Sequence, residues 1–299
     1  MNYAKKFIVR PGSIIDLDAI DTAFTGDYTG KNAEDDAKDR LKKNRQRIKD
    51  QQELLFVGKE HSLLLINQAM DAAGKDGLIE HVYSAMNLSG VRTVSFKAPT
   101  PEERAHHYLW RIRPHEPGPG LVSIFNRSQY EEVLIVRVRN LIPENVWRKD
   151  FKSVDDIWPA RFREINDYES ELAQKGTRIR KFFLHISKEE QLRRLWDRVR
   201  DPTKHWKVNE GDFDERQLWD QYQRAYEAVF AATSTQHAPW FIIPADHKWF
   251  ARVAVSEILA DDLESMGMKY PKPAADIDAI KKKCFGIKNP GDKPRFDLI

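Results

Sequence analysis

The first sustained periodicity runs from residue 33 to about residue 58, where apolar Ala37, Leu41, Ile48 and Leu55 recur at four- and seven-residue spacings among many charges. That pattern predicts an amphipathic helix stopped at Gly58, lying on its own chain or on a neighbour. Residues 10–33 are rich in Gly, Asp and Thr without a period and read as an irregular arm. Beyond residue 59 the pattern changes to short, continuous apolar runs at 62–66, 91–96, 121–125, 180–186 and 239–243, separated by helical stretches that include 75–88 and 101–112. Continuous apolar strands alternating with helices predict an α/β fold, a parallel sheet with helices on both faces. Between the fourth and fifth strands lies a long helical insertion, 188–233, broken at Asp201-Pro202 and at Gly211. Ligands of such sheets sit at the strand ends, so an insertion there is placed to be a lid. The organisation expected is an arm and helix over 1–58, a main domain over 59–267, and a Pro- and Lys-rich tail over 268–299 running along the surface.

Composition narrows the class. Among 299 residues, 41% are apolar and 32% charged, and no run of eighteen apolar residues occurs, so a membrane-spanning helix is not expected. The apolar stretch near the N-terminus, Phe7 to Val9, is too short for a signal-peptide core, which makes the cytoplasm the default location. The single cysteine, Cys284, excludes a disulfide framework within the chain and a zinc–thiolate cluster. A net charge of +3 is too small to argue for nucleic acid; where the positive charge clusters matters more.

The strongest local signal is the segment MDAAGKDG at 70–77, which follows a strand and opens a helix. Backbone amides there and the positive end of the helix dipole can cradle phosphate, and the Lys75 ammonium neutralises further charge. Against the pattern G-x-x-x-x-G-K-[ST], Ala69 replaces the first glycine and Asp76 the hydroxyl residue. Asp71 inside the loop would repel phosphate unless a divalent cation lay between them, so it reads as a metal ligand. A second segment, Asn126-Arg127-Ser128 with Tyr130, Glu131 and Glu132, ends the third strand. Arg127 is placed for a bidentate phosphate contact, and Glu131 or Glu132 for a metal or for orienting an acceptor. Ser128 with Glu131 also reads as a capping box. The lid concentrates Arg193, Arg194, Arg198, Arg200, Lys204 and Lys207 around Trp196 and Trp206. A solvated helix face or an RNA-binding stripe gives such a run; beside a phosphate loop, and followed by Asp212, Asp214 and Arg216, it favours a clamp on a polyanion. Arg178, next to Arg180 and Lys181, would extend the positive track. No nucleophile constellation is present: His106 and His107 are adjacent and cannot share a helix face, and neither G-x-S-x-G nor H-E-x-x-H occurs.

Five segments taken together, MDAAGKD at 70–76, FKAPT at 96–100, IFNRS at 124–128 with Tyr130 and Glu131, DPTKHWK at 201–207 and APWFIIPADHK at 238–248, resemble the family-2 polyphosphate kinases over most of the chain. The resemblance implies a phosphate-loop kinase fold of three layers and Mg²⁺-dependent phosphoryl transfer between inorganic polyphosphate and nucleotides, in a homo-oligomer such as a dimer or tetramer. Carried to this sequence, it implies Asp71, Lys75, Arg127 and Glu131 as catalytic groups, with Asp71 on the metal. It implies Ala72, Ala73, Gly74, Lys75, Asp76, Arg127, Arg178, Arg198, Lys204 and Lys207 around phosphates, and Asn87, Lys97, Asn126 and Tyr130 around the nucleotide. Asn126, where many members carry Asp, and Glu131 resemble the subgroup that phosphorylates nucleoside mono- and diphosphates. The acceptors expected are AMP and ADP, with guanine nucleotides as a secondary case, and neither nucleic acid nor membrane is an expected partner. Two rivals stand beside this reading, an ATP-dependent nucleotide kinase on the same fold and a polyanion- or RNA-binding module without catalysis.

Overall fold

The computed structural model describes residues 1–142 and 151–296. Its centre is a five-stranded, wholly parallel sheet: β1 (Ser62–Ala69), β2 (Val91–Ser95), β3 (Val122–Asn126), β4 (Thr177–His185) and β5 (Trp240–Pro244), in the order β2-β3-β1-β4-β5. All eight residues of β1 are buried, as a central strand covered on both faces requires. From β1 the chain runs to the edge strand β2, returns to β3 beside β1, then crosses to β4 and β5 on the other side. The carboxyl ends beside β1 therefore form the crevice where open α/β sheets take ligands.

The apolar run of β1 ends at Ile66, yet the strand continues through Asn67 and Gln68. Both are fully buried. The Tyr83 hydroxyl donates to Asn67 Oδ1 at 2.7 Å and Gln68 Nε2 donates to Ser128 Oγ at 3.2 Å, so side-chain partners substitute for apolar character.

Around the sheet, in chain order, lie α1 (Tyr3–Phe7), α2 (Ala33–Gly58), α3 (Lys75–His81), α4 (Pro101–Ala105), α5 (Ile135–Val138), α6 (Ile157–Gln174), α7 (Lys188–Arg200), α8 (Glu210–Gln217), α9 (Trp219–Thr233), α10 (Lys248–Ser265) and α11 (Ile277–Phe285). The expected helix over 75–88 is shorter, because the chain turns into 3₁₀ turns at Tyr83–Ala85 and Leu88–Gly90. The expected helix over 101–112 ends at Ala105, where His106 is extended and its ring stacks on Trp110 at 4.2 Å. Helix α6 was not expected, although Ile157, Trp158, Phe162, Ile165, Tyr168 and Leu172 are all buried and recur at helical spacing.

Helix α2 lies on its own chain, against α10. Ile48 and Leu55 are buried in the core, Asn44 donates to Ser256 Oγ at 3.1 Å, and Arg40 and Arg47 pair with Glu257, Asp261 and Glu264. Ionic contacts flank a narrow apolar seam, which accounts for the charge-rich sequence of this helix. By its contacts the chain divides into Met1–Met268 and Lys269–Ile299. In the second unit α11 is capped by Asp276 and closed by Gly286 in the left-handed region. The Pro- and Lys-rich composition of the tail gave no expectation of this helix; residues 297–299 of that tail lie outside the described residues.

Because Ile48 is fully buried, Ile48→Ala is expected to destabilise the protein by about 2–4 kcal/mol in urea unfolding. A loss under about 0.5 kcal/mol, the size of a surface substitution, would show that the helix is not packed as described.

Candidate active site

The loop between β1 and α3 is built from unusual backbone. Ala72 has φ +63° and Gly74 φ +116°. Across the crevice Arg127, at the end of β3, has φ +62°. A left-handed alanine and a left-handed arginine are costly, and non-glycine residues persist there only where the surroundings hold them. For Arg127 the holders are visible: its N–H donates to Asn67 O at 3.1 Å and its guanidinium donates to Asp71 Oδ1 at 2.7 Å. The Glu131 carboxylate approaches the same guanidinium at 3.7 Å.

The phosphate loop is held from behind by Arg194, on α7. Its guanidinium, 3% exposed, donates to the carbonyls of Ala72, Ala73, Ala245 and Asp246 and to the Glu190 carboxylate. Lys75 is buried, and its ammonium donates to Ala69 O at 2.9 Å. Burial, then the Arg127 charge, pull the Lys75 ammonium below its ordinary pKa, so an arriving anion would find a cation with unspent stabilisation. Burial also works against the Arg127 charge, but Glu131 and Asp71 outweigh it and hold Arg127 above its ordinary value.

These groups open onto a cleft of about 650 Å³ whose walls include Asp71, Ala72, Ala73, Gly74, Lys75, Asp76, Lys97, Asn126, Arg127, Arg198, Lys204 and Lys207. The three sequence segments and the lid thus converge. Asn126 Nδ2 donates to Asp76 Oδ1 at 2.8 Å, while Asn126 Oδ1 is buried without a hydrogen-bond partner among the described residues. From the lid, Arg198 donates to Asp212 at 2.8 Å, Lys204 pairs with Asp201 at 2.7 Å, and Lys207 sits 4.8 Å over the Trp206 ring.

Other expected site residues stand elsewhere. Arg178 is at the start of β4, opposite Leu63 at the start of β1, whereas the phosphate loop follows the far end of β1. It is engaged by Asp262 at 2.8 Å and by Ser265, and Arg180 shares Asp262; no positive track runs along this strand. Asn87 likewise precedes the amino end of β2, whereas the cleft takes Lys97 from beyond that strand's carboxyl end, and its side chain accepts from Ser89 N–H. Tyr130 is fully buried, its hydroxyl donating to Glu169, and is inaccessible to a nucleotide. Ser128 caps the 3₁₀ turn Gln129–Val133 by accepting from Tyr130 N–H, but Glu131 turns to Arg127 instead of closing a capping box.

Two cations were missed. Lys248 and Arg252, one turn apart at the start of α10, line the cleft and have no ion-pair or hydrogen-bond partner among the described residues. Burial lowers the pKa of both. An i, i+4 pair of cations after the last strand is the signal that reveals them.

The carboxylates suit magnesium bound in part by substrate. Among the described residues no three His, Cys, Asp or Glu side chains are gathered as a metal cage. Asp71 stands in the cleft, and Asp212 lies close enough that Asp71, after burial, raises its pKa. Mg²⁺ is usually held by one or two carboxylates plus phosphate oxygens and water, which fits this donor set.

A Gly-Lys loop at the switch point of a parallel sheet, a facing arginine and a basic helical insertion meet in one cleft, an arrangement suited to phosphoryl transfer. The family model described as Polyphosphate kinase 2 (PPK2) matches residues 31–271, and the chain belongs to that family. It is 45% identical over 276 residues to an AMP/ADP-polyphosphate phosphotransferase of Meiothermus ruber, covering 92% of this chain and 98% of that one. It is 42% identical to an ADP-polyphosphate phosphotransferase of Rhodopseudomonas palustris, covering 90% and 92%. The crystal structure of Polyphosphate Kinase 2 from Arthrobacter aurescens TC1 superposes with a TM-score of 0.85 at 42% identity, covering 94% of this chain and 95% of that one.

The two neighbouring glutamates differ in surroundings. Glu132 faces Arg161 of α6 at 3.5 Å, not Arg127, and burial pushes its carboxyl up to about 7 despite that arginine. Its folded pKa exceeds the unfolded one, so its stabilising contribution is present at low pH and lost as pH rises from about 4.5 through about 7. Glu132→Gln is therefore expected to gain stability relative to wild type between about pH 5 and about pH 8, by on the order of 1–3 kcal/mol in urea unfolding. A difference that stays flat across that range would show that burial does not govern Glu132.

Proposed function

We propose that this protein transfers phosphoryl groups reversibly between inorganic polyphosphate and both AMP and ADP, with Mg²⁺ as cofactor. The convergence of Asp71, Lys75 and Arg127 on one cleft lined by further cations carries the reading. A polyanion with about one charge per phosphate needs such a line, whereas a lone nucleotide does not. Phosphoryl transfer asks little covalent work of a protein and much positioning and charge neutralisation. Lys75 and the loop amides would hold one phosphate, and Arg127 would bridge toward the transferred group. Asp71, now engaged by the Arg127 guanidinium, would hold Mg²⁺, which when bound would supply charge neutralisation at phosphate oxygens, and Arg127 would then be free to meet phosphate. Asn126 and Lys97, on the β3 and β2 side, would face the nucleotide, and Glu131 would orient Arg127. Such substrates, and the absence of any membrane-crossing helix among the described residues, suit a cytoplasmic enzyme.

With Mg²⁺ and polyphosphate, AMP should yield ADP and then ATP, followed by chromatography; no transfer to either acceptor would overturn the reading. Lys75→Ala should lower kcat by at least about a hundredfold with the fold intact by circular dichroism, and a loss under about tenfold would remove Lys75 from the transfer step.

Lys248 and Arg252, on the α10 side, are proposed to carry the polymer beyond the loop. Lys248→Ala with Arg252→Ala should raise the KM for polyphosphate about tenfold or more, leave the nucleotide KM within about twofold, and flatten the salt dependence of polyphosphate binding. An unchanged polyphosphate KM would place the polymer elsewhere.

A further inference from the structure

Beneath the crevice lies an ion pair that the reading above does not use. Lys181 of β4 and Glu169 of α6 are each 0% exposed and meet at 2.6 Å. All three ammonium hydrogens are used: Lys181 donates to Glu169, to the Tyr130 hydroxyl at 2.8 Å and to the Thr233 carbonyl at 2.7 Å. Glu169 Oε1 in turn accepts from the Tyr130 hydroxyl at 2.8 Å and from Gln129 Nε2 at 3.1 Å. Burying two charges in surroundings that include Trp240 and Tyr130 rings costs several kcal/mol per ion, and an apolar filling of similar volume serves stability at least as well. What the pair adds is direction.

That direction is aimed at the site. Gln129 and Tyr130 are consecutive and lie between Arg127 and Glu131, so Glu169 grips the middle of the turn whose two ends carry the phosphate-facing arginine and its carboxylate partner. Arg127 is in the left-handed region, a conformation that relaxes unless the turn is held on both sides. Asn67 O and Asp71 hold it from the loop side; Glu169 holds it from below. Thr233, the third partner of Lys181, is the last residue of α9, where the lid returns to the sheet. The same ammonium therefore ties the arginine turn to the foot of the lid.

We propose that the Glu169–Lys181 pair is a positioning device for phosphoryl transfer, acting through Tyr130 and Gln129 to fix Arg127 relative to the lid. The inference rests on the transfer reaction proposed above, and wild-type activity in the same assay tests that reading separately. Displacements of about 1 Å at a reacting centre can cost about a hundredfold in rate, so loosening this turn lowers kcat without removing a substrate contact.

The test is a double-mutant cycle on the full-length protein with Mg²⁺, polyphosphate and ADP. Tyr130→Phe deletes only the hydroxyl and leaves the ion pair. It is expected to lower kcat about tenfold while the KM values for ADP and polyphosphate stay within about twofold. In an Arg127→Ala background the same substitution is expected to cost less than about twofold, because the group it positions is gone. Glu169→Gln should behave alike if it folds; should it not, the Tyr130→Phe cycle decides alone. Equal losses in both backgrounds, or a kcat unchanged by Tyr130→Phe, would overturn the inference and leave the pair a purely structural one.

Discussion

The architecture of the site depends on one buried guanidinium. Arg194 ties the phosphate loop through the Ala72 and Ala73 carbonyls, the end of β5 through Ala245 and Asp246, and its own lid helix through Glu190. The carbonyl and the following N–H of a trans peptide point in opposite directions, so a carbonyl fixed by Arg194 also fixes where the next amide points. Gly74 then takes a backbone angle that only glycine adopts at low cost. Buried hydrogen bonds to a charged donor are stronger than neutral ones, and the planar fork of arginine engages several acceptors at once. Lysine has no equivalent geometry, and at this position it would leave most of these carbonyls unpaired.

Charge in this protein is divided between cations that are spent and cations that are not. Arg178, Arg180, Arg40 and Arg47 are engaged by carboxylates on α10, and Lys181 is consumed inside the core. At the cleft the balance reverses: among the described residues Lys248 and Arg252 lack partners, Lys75 donates only to the Ala69 and Met70 carbonyls, and the Arg127 guanidinium is held by Asp71. A net charge of +3 conceals this, because net charge counts both kinds alike. Local surplus, not total charge, makes a polyanion site.

That division explains what could and could not be read from the sequence. The strand pattern, the turn after β1 and the helical insertion were legible because apolar runs and turn residues act locally; residues 71–76, Lys97, Asn126, Arg127, Arg198, Lys204 and Lys207 line one cleft. Arg178 and Asn87 were misplaced because residue type says nothing about which end of a strand faces the crevice. Tyr130 was misread for a different reason. A tyrosine in a functional segment suggests contact with a ligand, and only the fold reveals Glu169, thirty-nine residues away, as its partner. Lys248 closes the segment at 238–248 and Arg252 follows one turn later, but only the fold shows that helix α10 starts beside the cleft.

The same contrast bears on the lid. Its first helix is anchored by Arg194 at one end, and its last returns to the sheet at Thr233, whose carbonyl accepts from Lys181. Between those two buried anchors Lys204, Trp206 and Lys207 remain exposed, and the ion pair of Lys204 with Asp201, at sequence separation three, is local to the lid. An exposed pair of that kind contributes at most about 1 kcal/mol, so phosphate can take Lys204 from Asp201 cheaply. The insertion is thus tied by buried groups where it meets the sheet and exposed to solvent between them. Under the transfer reaction proposed above, handling a flexible polymer beside a nucleotide would draw on both properties, and the distribution of buried and exposed charge offers them in one continuous insertion.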